Sequence, residues 1–236
     1  MTSLALCIFF MCLGAISLTL FLLEKTRKYS VKAVMLKSVT SLLFIAVCAC
    51  GLFHSGHHIL GLLVMLGLLV GLLGDIWLDF KYVYKEHDLA FTYAGFTMFG
   101  IGHILYISGM FFEFYKGQNI LYIILPLAVG IVMGVATVLL EKPMQLKYGR
   151  FKWIAFAYGI VLFSMSMSAL SLAILYRFEN VTLNMMFAGG VLFAISDLIL
   201  SGTYFGEGKE RPVDIIANSV VYYAAQFVIA FAIFFL

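Results

Sequence analysis

Asp75 and Asp79 in LLGDIWLDF (residues 72–80) and Asp197 in LFAISDLIL (residues 192–200) place carboxyl groups in runs that otherwise read as hydrocarbon. Lys37, His103, Asn218 and Gln226, with tyrosines 106, 158, 222 and 223, are further polar groups in equally apolar stretches. An ionised carboxylate at the bilayer centre costs about 2.5–3.5 kcal/mol on insertion scales, so such residues need a reason. Two carboxyl groups in unequal surroundings suit acid–base hydrolysis. One, in an apolar setting, keeps a proton to donate; the other stays ionised near a cation such as Lys37 and accepts one. Asp75 and Asp197 are the candidate pair. That chemistry needs no nucleophilic serine or cysteine, no metal and no cofactor.

The elements that must position these groups follow from composition. Of 236 residues, 64% are hydrophobic and 11% charged, against roughly 45–50% and 25% in soluble domains. A membrane-crossing helix needs about 20 mostly apolar residues. Such stretches recur at 3–23, 33–53, 59–79, 90–112, 119–140, 152–175, 183–204 and 213–235. No period-two alternation suggests a barrel, and only helices and closed barrels satisfy their backbone groups in lipid. The expected fold is all-α: a polytopic integral membrane bundle of eight transmembrane helices in a single transmembrane domain over residues 1–236. The first span has no basic leader and no small-residue cleavage site, so it reads as retained rather than as a signal peptide.

Charge in the connections sets the orientation. Lys25, Arg27, Lys28 and Lys32, then Lys81 and Lys85, then Lys142, Lys147, Arg150 and Lys152, then Lys209 and Arg211 fall at the odd-numbered connections; only Lys116 and Arg177 fall at the even ones. Both termini are therefore expected on the non-cytoplasmic side, in the cytoplasmic (inner) membrane of a bacterium. The net charge of +3 is this asymmetry and implies no nucleic-acid partner. Cys7, Cys12, Cys48 and Cys50 lie inside spans and read as small apolar residues. The HSGHH stretch, with His54, His57 and His58, reads as a solvated loop.

Depth ties the acids together. Asp75 lies about five residues, and Asp197 about seven, from the inner end of its span, or roughly 7 and 10 Å. Lys37 comes out level with them. Asn218, Tyr222 and Gln226 follow at i, i+4 and i+8, one face of the last helix. His103 is deeper, beside a Gly95, Phe99, Gly102, Tyr106 stripe suited to close helix packing. Asp79, next to Lys81, reads as an interfacial, solvated carboxylate. LLGDIWL and AISDLIL share a small residue, Asp, and Leu three positions on, which hints at a parallel 4+4 helix repeat.

In order and spacing, KSVTSLLF (37–44), LLGDIWL (72–78), FGIGHILY (99–106), YGIVLFSMSMSAL (158–170), LFAISDLIL (192–200) and YYAAQFVI (222–229) resemble the YhhN-type lysoplasmalogenase family of eight-helix membrane hydrolases across most of the chain. Ser38 stands where that family commonly has a proline, and Asp79 is not one of its motif positions. The resemblance implies hydrolysis of the alkenyl (vinyl) ether bond of a lysoplasmalogen to a fatty aldehyde and glycerophosphoethanolamine or glycerophosphocholine. It implies catalysis by Asp75 and Asp197, with Lys37, His103, Tyr106, Tyr158, Asn218, Tyr222, Tyr223 and Gln226 as substrate-binding residues. The partners are then a lysophospholipid, water and membrane lipids. A cationic intermediate is expected to face Tyr222 or Trp77.

Two other classes fit less well. A proton-coupled transporter also uses intramembrane Asp, Lys and His, but the polar groups crowd one face and no paired proline-broken helices occur. A zinc hydrolase needs several histidines at ligand spacing, and only His103 lies within a span. Assayed in liposomes, the protein is expected to release aldehyde from a lysoplasmalogen without a coupled proton flux. The reverse result selects the transporter.

Overall fold

Runs of leucine, isoleucine, phenylalanine and alanine more than 18 residues long close all their backbone hydrogen bonds internally only as helices. The computed structural model describes residues 2–56, 58–206 and 211–236, so His57 and Lys209 lie outside the described residues. Its eight long helices are α1 (Ser3–Lys25), α2 (Val31–Ser55), α3 (Ile59–Val83), α4 (Asp88–Phe114), α5 (Leu121–Leu139), α6 (Lys152–Leu175), α7 (Val181–Phe205) and α8 (Pro212–Ala232). All eight are long and apolar enough to cross a membrane.

Several helices outrun their apolar windows. Ser30 caps α2 from outside, its hydroxyl accepting from the Ala33 amide at 3.2 Å, so that helix starts at Val31. Asn180 does the same for α7 through the Leu183 amide at 2.9 Å. α3 continues through the polar Lys81–Tyr82 step to Val83. The connection from α2 to α3 is correspondingly short. His54 is inside α2, stacked on Phe234 with ring centroids 4.0 Å apart, and His58 pairs with Glu113 at 3.0 Å. His54 and His58 thus find partners on the C-terminal turn and α4, although His54 stays exposed.

Neighbouring helices pair as hairpins, with α2, α3, α4, α6, α7 and α8 around the centre. α1 and α5 lie at the rim, where little of their apolar length is buried. Without a hydrophobic drive between helices in lipid, close approach depends on small residues. Gly102 of α4 meets Gly67 of α3 backbone to backbone: a Cβ at Gly102 would stand 3.1 Å from the Gly67 carbonyl. The stripe seen in the sequence is therefore a packing seam. The phenyl ring of Phe99 lies over Gly74 and the Tyr106 ring over Gly67. α5 carries Pro126, which cannot donate to the carbonyl of Tyr122 one turn earlier. Ser171 of α6 supplies the missing donor at 2.9 Å.

The odd-numbered connections gather on one face. Tyr29 stacks on Tyr82 at 4.3 Å, the Lys147 amide donates to the Phe205 carbonyl at 2.7 Å, and Arg150 reaches Asp88 at 3.6 Å. Glu141 in the α5–α6 connection accepts from Lys152 at 2.7 Å, a contact that holds its carboxyl below the usual range. The four cysteines are unpaired, with Cys7, Cys48 and Cys50 buried.

Gly102→Val is expected to destabilise the bundle by about 1–3 kcal/mol through overpacking. Gly100→Ala, on the same helix with nothing within 4 Å of its would-be Cβ, is expected to be neutral or to stabilise by up to about 1 kcal/mol. Denaturation of the two variants in one detergent provides the comparison.

Candidate active site

α3 presents Asp75 and α7 presents Asp197, each eight residues before the last residue of its helix. At 1.5 Å per residue this puts both about 12 Å from the helix ends. The equality is closer than the sequence suggested, because both helices outrun their apolar windows. The two carboxyl groups line one narrow cavity of about 40 Å³. Lys37, Tyr158, Asn218, Tyr222 and Tyr223 stand on the same wall, with Phe96, Phe99, Phe193 and Leu200 supplying its apolar part.

The surroundings of the two acids differ sharply. Asp75 is 2% exposed. Lys37 Nζ lies 3.1 Å from its Oδ1, while the hydroxyls of Ser41 and Tyr222 donate to Oδ2 at 2.7 and 2.8 Å. An ammonium and two hydroxyl donors complement a carboxylate. Gln226 donates to the Tyr222 oxygen at 2.9 Å, which leaves the Tyr222 proton to point at Asp75. The Tyr223 hydroxyl donates to the Lys37 carbonyl at 3.1 Å, bracing the helix segment that carries the lysine. Asp197 has one donor, the hydroxyl of Tyr158, and no cation within ion-pair range among the described residues. His103 Nε2 lies 3.4 Å from the Tyr158 oxygen. Since that hydroxyl gives its proton to Asp197, its oxygen is left to accept from the imidazole.

Of the residues singled out from sequence, Lys37, Asp75, Tyr158, Asp197, Asn218, Tyr222 and Tyr223 meet on the cavity wall. His103, Tyr106 and Gln226 do not; they are buried behind it, the first and last holding Tyr158 and Tyr222 in place. The ladder on α8 therefore opens to the cavity at Asn218 and Tyr222 and closes at Gln226. Trp77 is off the wall as well, stacked on Phe91 at 5.5 Å. It lies two positions from Asp75, about 200° around the helix, so Tyr222 is the aromatic group next to the acids.

Asp79 overturns the expectation of a solvated carboxylate. It is 4% exposed, and its Oδ1 accepts from Lys25 at 2.7 Å and Lys37 at 3.4 Å. One helical turn from Asp75, it faces the same way into the bundle. Lys25, expected in a connection, is 8% exposed and lies over the Tyr29 and Tyr82 rings at 4.9 and 4.7 Å. Ser41 and Ser196 were not singled out either. Ser41 lies at i+4 from Lys37, a spacing that could have revealed it. Ser196, beside Asp197, donates to the Asn218 side chain at 2.9 Å, which only the α7–α8 pairing determines.

Two further cavities adjoin the first. An apolar one, also about 40 Å³, shares Phe96, Tyr158, Asp197, Leu200 and Tyr204 with it and runs past Ala155, Leu162, Phe163 and Leu198. Leu198 is 44% exposed on the outside of the bundle. A polar one of about 50 Å³ shares Lys37, Leu200, Tyr204, Asn218 and Ser219 and extends to Lys25, Tyr29, Asp79 and Tyr82 near the helix ends. The joined space is apolar at one end and charged at the other, with the two acids between.

Lys37→Met strands Asp75 without a cation and leaves Asp79 with Lys25 alone. Breaking a buried pair in this way costs about 3–5 kcal/mol, so a large drop in melting temperature in detergent is expected. Asp197→Asn removes no ion pair, and its melting temperature is expected to stay within a few degrees of the parent.

Comparisons with known proteins bear on this site. No curated protein and no solved structure matches the chain. The model of the YhhN family matches residues 32–233, a stretch that takes in both acids, Lys37 and every helix lining the cavity. This multi-pass membrane protein belongs to the YhhN family.

Proposed function

We propose that the protein is an intramembrane hydrolase that cleaves the vinyl ether bond of a lysoplasmalogen to a fatty aldehyde and a glycerophospho-alcohol. The carrying observation is that Asp75 and Asp197, from separate helices, line one cavity in unlike surroundings. YhhN membership is consistent with it. With the basic connections cytoplasmic, the polar end of the cavity opens to the cytoplasmic half of the membrane.

In this reading Asp197, which has no cation beside it, is the general acid. Its proton goes to the β-carbon of the vinyl ether, whose π electrons form the new C–H bond and leave an oxocarbenium ion. The ionised Asp75 and the adjacent Tyr222 ring stabilise that cation. Water adds to the α-carbon and gives its proton to Asp75. The hemiacetal then collapses: its C–O bond to glycerol breaks, Asp75 returns a proton to the departing oxygen, and the hemiacetal hydroxyl re-protonates Asp197. One water is consumed, and both acids regain their starting states. Unequal carboxyl groups share glycoside hydrolysis in a similar way. The alkenyl chain occupies the apolar arm past Leu162 and Leu198, while the glycerol lies near Lys37 and Asn218. His103, through Tyr158, and Gln226, through Tyr222, fix the hydroxyls that contact the acids.

Asp197→Asn and Asp75→Asn are each expected to lower kcat by about 10²–10⁴, the usual worth of a general acid or base. Aldehyde release from purified, folded protein gives the measurement; activity within tenfold of the parent rejects the pair. Mass spectrometry of products from 1-alkenyl, 1-alkyl and 1-acyl lysolipids is expected to show cleavage of the alkenyl lipid alone, since only it forms an oxocarbenium ion by carbon protonation. Cleavage of the acyl lipid would replace this chemistry with ester hydrolysis.

A further inference from the structure

The polar chamber next to the acids has a use of its own. Its buried charges alternate: Lys25, Asp79, Lys37 and, at the junction with the main cavity, Asp75, linked by contacts of 2.7, 3.4 and 3.1 Å. Lys25 and Lys37 stand against one lining anion, Asp79, so the chamber does not repel a phosphate. It also carries an unused acceptor. Both lysines bind Asp79 through Oδ1, and the buried Oδ2 has no hydrogen-bond partner among the described residues. A buried carboxylate oxygen left without a donor costs about 1–3 kcal/mol or more, which a ligand bearing N–H groups recovers. Lys37, with three N–H donors and two carboxylate partners, keeps one donor for a phosphate oxygen.

The aromatic faces of the chamber point the same way. Quaternary ammonium groups are held by open aromatic cages, but here the faces already carry lysines: Lys25 lies over Tyr29 and Tyr82, and Lys81 over Tyr204 at 3.4 Å. A trimethylammonium group, which has no N–H, could not donate to Asp79 Oδ2. A primary ammonium can.

We infer that this chamber is a headgroup subsite for a zwitterionic phosphoethanolamine lysolipid, with Asp79 the residue that selects a primary ammonium over choline. The inference rests on the proposed reading that the main cavity takes a lysolipid. It adds a discrimination that the pair of catalytic acids does not supply.

Full-length protein in nanodiscs, given 1-alkenyl lysolipids of one chain length with ethanolamine, choline or glycerol headgroups, is expected to favour ethanolamine over choline roughly tenfold or more in kcat/KM, the worth of one charge-assisted hydrogen bond. Asp79→Asn should bring the ethanolamine-to-choline ratio to about 1, mainly through KM; a merely structural role would lower all three substrates together. Because that change also deprives Lys25 of its partner, the double variant Lys25→Met, Asp79→Asn is measured alongside and should show the same loss of discrimination. Equal kcat/KM for ethanolamine and choline in the parent, or preference retained in folded variants, overturns the subsite. Calorimetric binding of the uncleavable 1-alkyl lysolipids separates the two proposals. Ethanolamine-selective binding with no alkenyl turnover keeps the subsite and rejects the hydrolase, whereas turnover blind to the headgroup does the reverse.

Discussion

Four charges buried in one line, Lys25, Asp79, Lys37 and Asp75, tie α1, α2 and α3 together at the basic face of the bundle. Charged groups inside a membrane protein persist only when paired or turned to a cavity, and here each is both. Lys37 is the common member, touching both aspartates, so the position of α2 fixes how far α3 rotates. The tyrosines follow from the same constraint. Tyr222 and Ser41 complete the coordination of Asp75, and Tyr223 braces the Lys37 backbone, which brings α8 against α2. A set of contacts needed to keep charge in an apolar medium thus also determines which helices meet.

Asp197 stands outside that line, and the contrast gives the site its chemical direction. Two carboxyl groups at equal depth would be interchangeable if each had a lysine. With the cation on one side only, negative charge is supported at Asp75 and left to a single tyrosine hydroxyl at Asp197. The space around them is polarised in the same sense, charged towards the helix ends and apolar towards Leu198.

The packing that holds this arrangement uses means suited to lipid. Backbone contact at Gly67 and Gly102 draws α3 against α4, and the Ser171 hydroxyl repairs the carbonyl that Pro126 leaves open. Helices at the rim contribute less to the core, yet α1 still delivers Lys25 from its last residue. Residues 32–233 match the family model, so Lys25 and Tyr29 lie outside the matched stretch while Asp79 lies within it.

The sequence by itself determined eight membrane-crossing helices and the depth of the polar groups along them, because span length is set by bilayer thickness and rise per residue is fixed. Asp75, Asp197 and Lys37 were legible for that reason, as was the α8 ladder through Tyr222. What only the tertiary structure decided was the rotation of each helix about its axis. In a soluble protein an apolar stripe marks the inward face. A lipid-exposed face is as apolar as a buried one, so LLGDIWLDF says nothing of whether Trp77 or Asp79 turns inward. Packing against α1 and α2 turns Asp79 and Lys25 in, leaves Trp77 against Phe91, and seats His103, Tyr106 and Gln226 behind the wall. Those placements depend on which side chains of neighbouring helices interlock, and no spacing within one helix encodes that.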